Sequence, residues 1–173
     1  FDLEEEGHIY ARTGNPTQAV LEQRIAQLEG GTAAVAVASG MAAIDVALAT
    51  LARAGDHVIV ASTVYGGSHN PVAHVLQGRG ISSTRVARGD VRALAAAITP
   101  HTKAVFLESV GNPSGDVADI AAIAAVAHAQ GVAVVVDNTC ATPLLVRPFD
   151  HGADVVVHSA TKYIGGHGNA IGG

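Results

Sequence analysis

The 173-residue sequence has one cysteine and no tryptophan, and only 3% of its residues are aromatic. A single thiol excludes an intrachain disulfide and a cysteine-rich zinc site, and it suits a reducing compartment. Lysine occurs only at positions 103 and 162. The 10 Lys and Arg residues are outnumbered by 15 Asp and Glu, for a net charge of −5. That balance argues against nucleic-acid and anionic-membrane partners, which need clustered basic side chains. Long apolar runs are missing too. Runs such as Ala104–Leu107, Ile120–Ala127 and Val132–Val136 fall far short of the ~18–20 residues that span a bilayer. The start, Phe1-Asp2-Leu3-Glu4-Glu5-Glu6, is acidic where a secretory signal is basic. Neither Gly-x-x-x-x-Gly-Lys-Ser/Thr nor Gly-x-Gly-x-x-Gly occurs, so P-loop and dinucleotide fingerprints are absent.

What is present is a large interior. Hydrophobic residues make up 49% of the chain and mean hydropathy is +0.32, enough for one domain of ordinary size. The expectation is a cytoplasmic protein with no membrane segment. The chain lacks an initiator Met and stops at Ile171-Gly172-Gly173, inside a Gly-rich stretch. It therefore reads as an internal piece of a longer polypeptide.

Short β-branched runs alternate with Ala-rich segments. The spacing predicts strands over Ala33–Ser39, His57–Ser62, Ser83–Ala87, Ala104–Ser109, Val132–Asn138 and Val155–Ser159. Most are continuous Val, Ile and Ala without polar alternation, as in parallel strands buried on both faces. Helices are predicted from Asn15-Pro16 to Gly30-Gly31, with Val20, Leu21, Ile25 and Leu28 at helical spacing, and over Met41–Arg53, Pro71–Gly78, Val91–Ile98 and Ile120–Gln130. Asn before Pro is an N-terminal cap signal, and Gly30, Gly55, Gly131 and Gly152 stand where C-terminal caps belong. The pattern predicts right-handed βαβ units in a three-layer α/β/α sandwich with a mainly parallel sheet. Residues 1–15 read as an arm outside a domain spanning 16–173.

Ligands of such sheets bind at the carboxyl ends of the strands, and polar residues gather there: Ser39-Gly40, Ser62–Gly67, Glu108–Pro113, Asp137-Asn138-Thr139 and His158–Lys162. Ser39-Gly40-Met41 opens a helix and is either a tight turn or an anion cradle of free backbone N–H groups. Ser159 and Thr161 put two hydroxyls near another strand end. Lys103 reads as a solvated surface residue. Lys162 is either a helix-start or ion-paired lysine or a desolvated amine, more nucleophilic toward an aldehyde. Asp137 tops the run Val132–Val136 and needs a partner; it is either a turn cap or the carboxylate that meets a protonated pyridine nitrogen. Phosphate cradle, carboxylate and lysine together match three reactive corners of pyridoxal phosphate. His158 and His167 lie near this site without a metal-ligand pattern, so no metal is expected.

The segments Val136-Asp137-Asn138-Thr139-Cys140-Ala141-Thr142-Pro143, His151-Gly152-Ala153-Asp154 and His158-Ser159-Ala160-Thr161-Lys162-Tyr163-Ile164-Gly165-Gly166-His167-Gly168 resemble the Cys/Met-metabolism family of pyridoxal-phosphate enzymes. The resemblance runs from Tyr10 to the last residue. The last of these segments is most similar to the O-acetylhomoserine sulfhydrylase branch. The resemblance implies the large domain of fold type I, with the C-terminal domain, which would supply the arginine for the substrate's α-carboxylate, absent from this chain. By the same resemblance Lys162 would anchor the cofactor and move protons. Asp137 would bond the pyridine nitrogen, and Tyr65 would stack on the ring and assist proton transfer. Ser39, Ser159, Thr161 and the backbone of Gly40 and Met41 would hold the phosphate. Asn112 would lie near the ring 3-hydroxyl. Tyr10 and Arg12 would reach the phosphate of a neighbouring subunit's cofactor, which implies a dimer with shared active sites, commonly doubled to a tetramer.

Two departures from the family pattern stand out: Cys140 where Phe is common, read as a packing change, and Ser114-Gly115 after Asn112-Pro113. The implied reaction is γ-replacement of acetate on O-acetylhomoserine by sulfide or a thiol. The alternatives are a cystathionine or methionine γ-lyase, a cystathionine γ-synthase, and a non-catalytic fragment that only binds the cofactor.

Overall fold

A computed structural model describes residues 7–61, 74–87 and 89–173. Expectations at Ser62–Gly67, Tyr65 among them, at the Pro71 start of a helix, and in the acidic first six residues lie outside the described residues.

Five parallel strands form one sheet: β1 (His57–Ala61), β2 (Ser82–Val86), β3 (Thr102–Glu108), β4 (Ala133–Asp137) and β5 (Val155–Val157), in the order β2-β1-β3-β4-β5. The helices are α1 (Pro16–Glu29), α2 (Gly40–Leu51), α3 (Val91–Ala97), α4 (Ile120–His128) and the single turn α5 (Thr142–Leu145); residues 74–78 are also helical and Pro148–His151 form a 3₁₀ turn.

Strand alternation divides the core into two layers. Val58, Val60, Ala104, Phe106, Val135 and Val157 pack with Ile44 and Leu48 of α2. Ile59, Val105, Leu107, Val134 and Val136 pack with Leu94 of α3 and Ile120, Ile123 and Ala127 of α4. Both faces are covered, which is why these strands carry no polar alternation. Each such Val, Ile or Phe contributes about 1.5–3 kcal/mol on burial. The helices start on side-chain caps. Asn15 accepts from Gln18 N–H, Ser39 from Ala42, Asp90 from Ala93 and Asp119 from Ala122. Gly30 closes α1 at φ 77°, a left-handed conformation that suits glycine.

Two expectations are corrected. The run Ala33–Ser39 is extended but is not a strand of the sheet. Val37 and Gly173 exchange both backbone hydrogen bonds, at 2.8 and 3.0 Å. The preceding residue's backbone is met by side chains of α1: Ala36 N–H donates to Glu22 Oε1 at 2.8 Å, and Gln18 Nε2 donates to Ala36 C=O at 3.5 Å. Among the described residues the run therefore bonds to Gly173 and to helix side chains, and to none of the five strands. The apolar stripe of α1 also faces outward: Val20, Leu21 and Leu28 are exposed, while Ala26 and Glu29 are buried. The helix docks through a small residue and an acid because polar strand ends, not an apolar layer, await it.

At the opposite end of the sheet His57 is buried between two threonines, with Nδ1 at 2.8 Å from Thr102 Oγ1 and Nε2 at 2.9 Å from Thr84 Oγ1. Burial pushes its pKa below the ordinary histidine value. The folded state therefore prefers neutral imidazole, and on acidification the unfolded chain takes the proton first. This contribution is complete above about pH 6.5 and is lost as pH falls below it. Urea midpoints measured between pH 7.5 and 5 are expected to fall less steeply in His57→Gln than in the native protein; parallel slopes would refute the assignment.

Candidate functional site

The carboxyl ends of β3, β4 and β5 lie at one level, with Glu108 in register with Asp137 and Asp137 with Val157. The chain turns sharply after Asp137. Its Oδ1 accepts from Thr139 N–H at 2.9 Å and from the Thr139 hydroxyl at 2.5 Å. That hydroxyl in turn accepts Ser159 N–H at 2.8 Å. The ends of β4 and β5 are thus joined through one threonine. Both Thr139 bonds fall on Oδ1, which leaves Oδ2 to meet a further donor. Burial raises the Asp137 pKa; the Thr139 hydrogen bonds and the charge of His158 oppose that rise without cancelling it. A cationic N–H placed at Oδ2 would restore the carboxylate.

The N-terminus of α2 closes on the same point. A Cβ on Gly40 would stand 2.6 Å from Ser159 Cβ and 2.8 Å from Ser159 Cα. Only glycine lets the first turn of α2 come this close to Ser159. The helix N-terminus, with its unpaired N–H groups and positive end of the dipole, then faces the Ser159 loop, an arrangement that favours an anion. Ser39 caps the helix and Met41 packs against the core, as the tight-turn reading expects.

The other predicted residues are placed less simply. Lys162 follows in the Ser159 loop but is exposed, so the described residues do not supply the desolvation expected for it. Lys103 is exposed, as expected. The Thr161 hydroxyl donates to Gly172 C=O at 3.2 Å and accepts Gly172 N–H at 3.1 Å, so it is engaged within the loop. Asn112 is exposed and donates its backbone N–H to Glu108 Oε2 at 3.1 Å. Tyr10 and Arg12 are exposed and stacked on each other, the guanidinium carbon 5.2 Å from the ring centre. Cys140 is half-buried, and burial with the Glu108 and Asp137 carboxylates pushes its thiol up. That suits packing rather than nucleophilic attack. Among the described residues no three His, Cys, Asp or Glu side chains are grouped to hold a metal, and no helix is long and apolar enough to cross a membrane.

The sequence reading missed the buried polar group beneath this rim. Glu29 is 2% exposed, Asn138 0%, Ser109 1% and His158 7%. Glu29 Oε1 lies 2.5 Å from His158 Nε2 and accepts Asn138 Nδ2 at 2.9 Å, while Ser109 Oγ donates to Asn138 Oδ1 at 2.7 Å. No sequence signal marked Glu29: its place three residues after Ala26, on the same helix face, gains meaning only once Ala26 is seen to be buried.

The sequence profile of the Cys/Met metabolism PLP-dependent enzymes matches residues 1–173. The chain belongs to this family. It is 53% identical to the homocysteine synthase of Schizosaccharomyces pombe, over 100% of this chain and 41% of that protein. It is 48% identical to the L-methionine gamma-lyase of Pseudomonas putida, over 100% of this chain and 44% of that protein. A crystal structure from Campylobacter jejuni that contains N′-pyridoxyl-lysine-5′-monophosphate superposes with a TM-score of 0.94 at 44% identity, covering 99% of this chain and 42% of that one. The chain thus spans well under half the length of these relatives. The family's cofactor is pyridoxal phosphate. The residues present fit its two ends: the close approach at Gly40 brings the N–H groups at the start of α2 beside Ser159, a setting that favours an anion, and Asp137 offers a buried carboxylate that favours a cation.

Two outcomes follow. Gly40→Ala is expected to cost about 1–3 kcal/mol in urea unfolding without cofactor, through overpacking against Ser159; an unchanged midpoint would show that the approach is not close-packed. For Asp137 the raised pKa means that the folded state binds the extra proton. Its stabilising contribution is present at low pH and is lost as pH rises through the folded value. Asp137→Asn without cofactor is therefore expected to unfold at an equal or higher temperature than the native protein at pH 8. A lower melting temperature there would contradict the burial argument.

Proposed function

We propose that the full-length protein replaces the γ-acetoxy group of O-acetylhomoserine with sulfide or a thiol, the Cγ–O bond breaking as the Cγ–S bond forms in its place, with acetate leaving and homocysteine or methionine formed. The observation that carries this reading is the 53% identity, along the whole chain, to a homocysteine synthase, joined to the sulfhydrylase-like run from Ser159 to Gly168. The 48% identity to a methionine gamma-lyase favours γ-elimination as the second reading.

Pyridoxal phosphate supplies the electron sink for negative charge at the substrate's carbons. Lys162 Nζ would hold the cofactor's aldehyde carbon and would move protons at the substrate carbons. Asp137 Oδ2 holds the proton on the pyridine nitrogen. The N–H groups of Gly40 and Met41 and the hydroxyls of Ser39, Ser159 and Thr161 bind phosphate, with Ser39 and Thr161 exchanging their present bonds. Asn112 faces the ring hydroxyl, and Tyr65 stacks on the ring and assists proton transfer. In this reading the arm of residues 1–15 leaves the domain of 16–173. Tyr10 and Arg12 on that arm reach a neighbouring subunit's phosphate, giving an active-site-sharing dimer, doubled to a tetramer, in the cytoplasm.

Borohydride reduction of the full-length protein with pyridoxal phosphate is expected to label a peptide containing Lys162, and Lys162→Ala is expected to give no label. With O-acetylhomoserine and sulfide, homocysteine and acetate should appear together. Ammonia and a 2-keto acid released from methionine without added thiol would favour elimination, and label at another lysine would overturn the site.

A further inference from the structure

We propose that Glu29 is a positioning residue: from the end of α1 its buried carboxylate ties the ends of β4 and β5 together, fixing Asp137 relative to Ser159 and Lys162. The inference rests on the cofactor site proposed above.

Glu29 Oε1 is shared by donors from two different strand ends, His158 Nε2 after β5 and Asn138 Nδ2 after β4. His158 directly precedes Ser159, and Asn138 directly follows Asp137. On the other side of these peptides Ser159 N–H reaches the Thr139 hydroxyl, which donates to Asp137 Oδ1. The path from Glu29 through His158, Ser159, Thr139, Asp137 and Asn138 back to Glu29 is a closed ring of hydrogen bonds and peptide links. Asn138 cannot turn its amide around without loss, because its Oδ1 holds the Ser109 hydroxyl and its Nδ2 also donates to Val146 C=O at 2.8 Å.

Direction, not stability, explains an acid here. Glu29 Oε2 and His158 Nδ1 are buried without a hydrogen-bond partner. A buried group left unsatisfied is destabilising, whereas an apolar replacement of both partners is often neutral. An apolar side chain would hold α1 against the sheet as well as Glu29 does. It would not select one mutual position of the two strand ends. Placement errors near 1 Å at reacting groups are costly, on the order of a hundredfold in rate, so a tie of this kind acts on the site while touching none of its ligands. His158, held by Glu29, also favours the ionised form of Asp137.

The test uses the full-length protein as Glu29→Gln, Glu29→Leu and Thr139→Val. Three quantities are read: the melting temperature without cofactor, the dissociation constant of pyridoxal phosphate, and the fraction of Lys162 fixed by borohydride. Glu29→Leu is expected to fold and to bind cofactor about tenfold or more weakly, with Lys162 fixation falling in step. Glu29→Gln keeps Oε1 as an acceptor and should stay within about threefold of the native protein. Thr139→Val opens the ring at its other side and should resemble Glu29→Leu. A folded Glu29→Leu that binds within twofold of the native protein overturns the proposal, as does a drop in melting temperature with an unchanged dissociation constant. If Glu29→Leu does not fold, Thr139→Val decides by the same tenfold and twofold limits. Native protein that fixes no Lys162 fails the cofactor reading instead, and that failure is visible before any variant is made.

Discussion

A parallel sheet buried on both faces has one place for chemistry, the rim where its strands end. Here that constraint is complete for the central strands. Val58, Ile59, Val60, Val105, Phe106, Val134, Val135 and Val136 are all 2% exposed or less, so no polar side chain fits along them. Polar groups are displaced to the two ends. At the amino end one histidine is satisfied by two threonines. At the carboxyl end Glu108, Asp137, Asn138 and His158 crowd together, and α1, α2 and the Ser159 loop converge on them. The site follows from where the sheet can tolerate charge.

That crowding has an electrostatic sign. Glu108 and Asp137 are register neighbours on adjacent strands, and Glu29 supplies a third carboxylate beneath them. Burial raises the Asp137 pKa, and the Thr139 hydrogen bonds and the charge of His158 only partly oppose it. A cation at Oδ2 would favour the carboxylate, and the N-terminus of α2 beside Ser159 would favour an anion. In the proposed site, a ligand with a pyridinium at one end and a phosphate at the other would meet both preferences together.

The sheet was legible because two-sided burial writes itself as uninterrupted Val, Ile and Ala. Five of the six expected strands are found within a residue or two of their expected bounds, and the Asn15-Pro16 and Gly30 signals mark the ends of α1 correctly. The run Ala33–Ser39 misled for the same reason. It has strand composition, but its partners among the described residues are the backbone of Gly173 and the side chains of Glu22 and Gln18, and composition does not name partners. The outward stripe of α1 misled in the opposite sense: helical spacing shows a face without showing what the face meets. Of the site, Asp137, Ser159 and the Gly40 turn were readable because each follows or opens an element whose type was clear. The surroundings of Lys162 were not readable, since its exposure depends on the path of the loop.

Glu29 was not legible, and the reason is physical. An acid at the last position of a helix is ordinarily a solvated residue, and nothing local distinguishes one that turns inward. What distinguishes it is tertiary: its two donors stand 109 and 129 residues away in the chain. A group whose partners are local, such as Asp137 with Thr139 two residues on, leaves a motif. A group that joins distant elements leaves none, although it can control the geometry of the motif. The residues that leave a motif here are therefore the readable ones, while a residue that bonds to distant strand ends emerges only after those ends have been brought together.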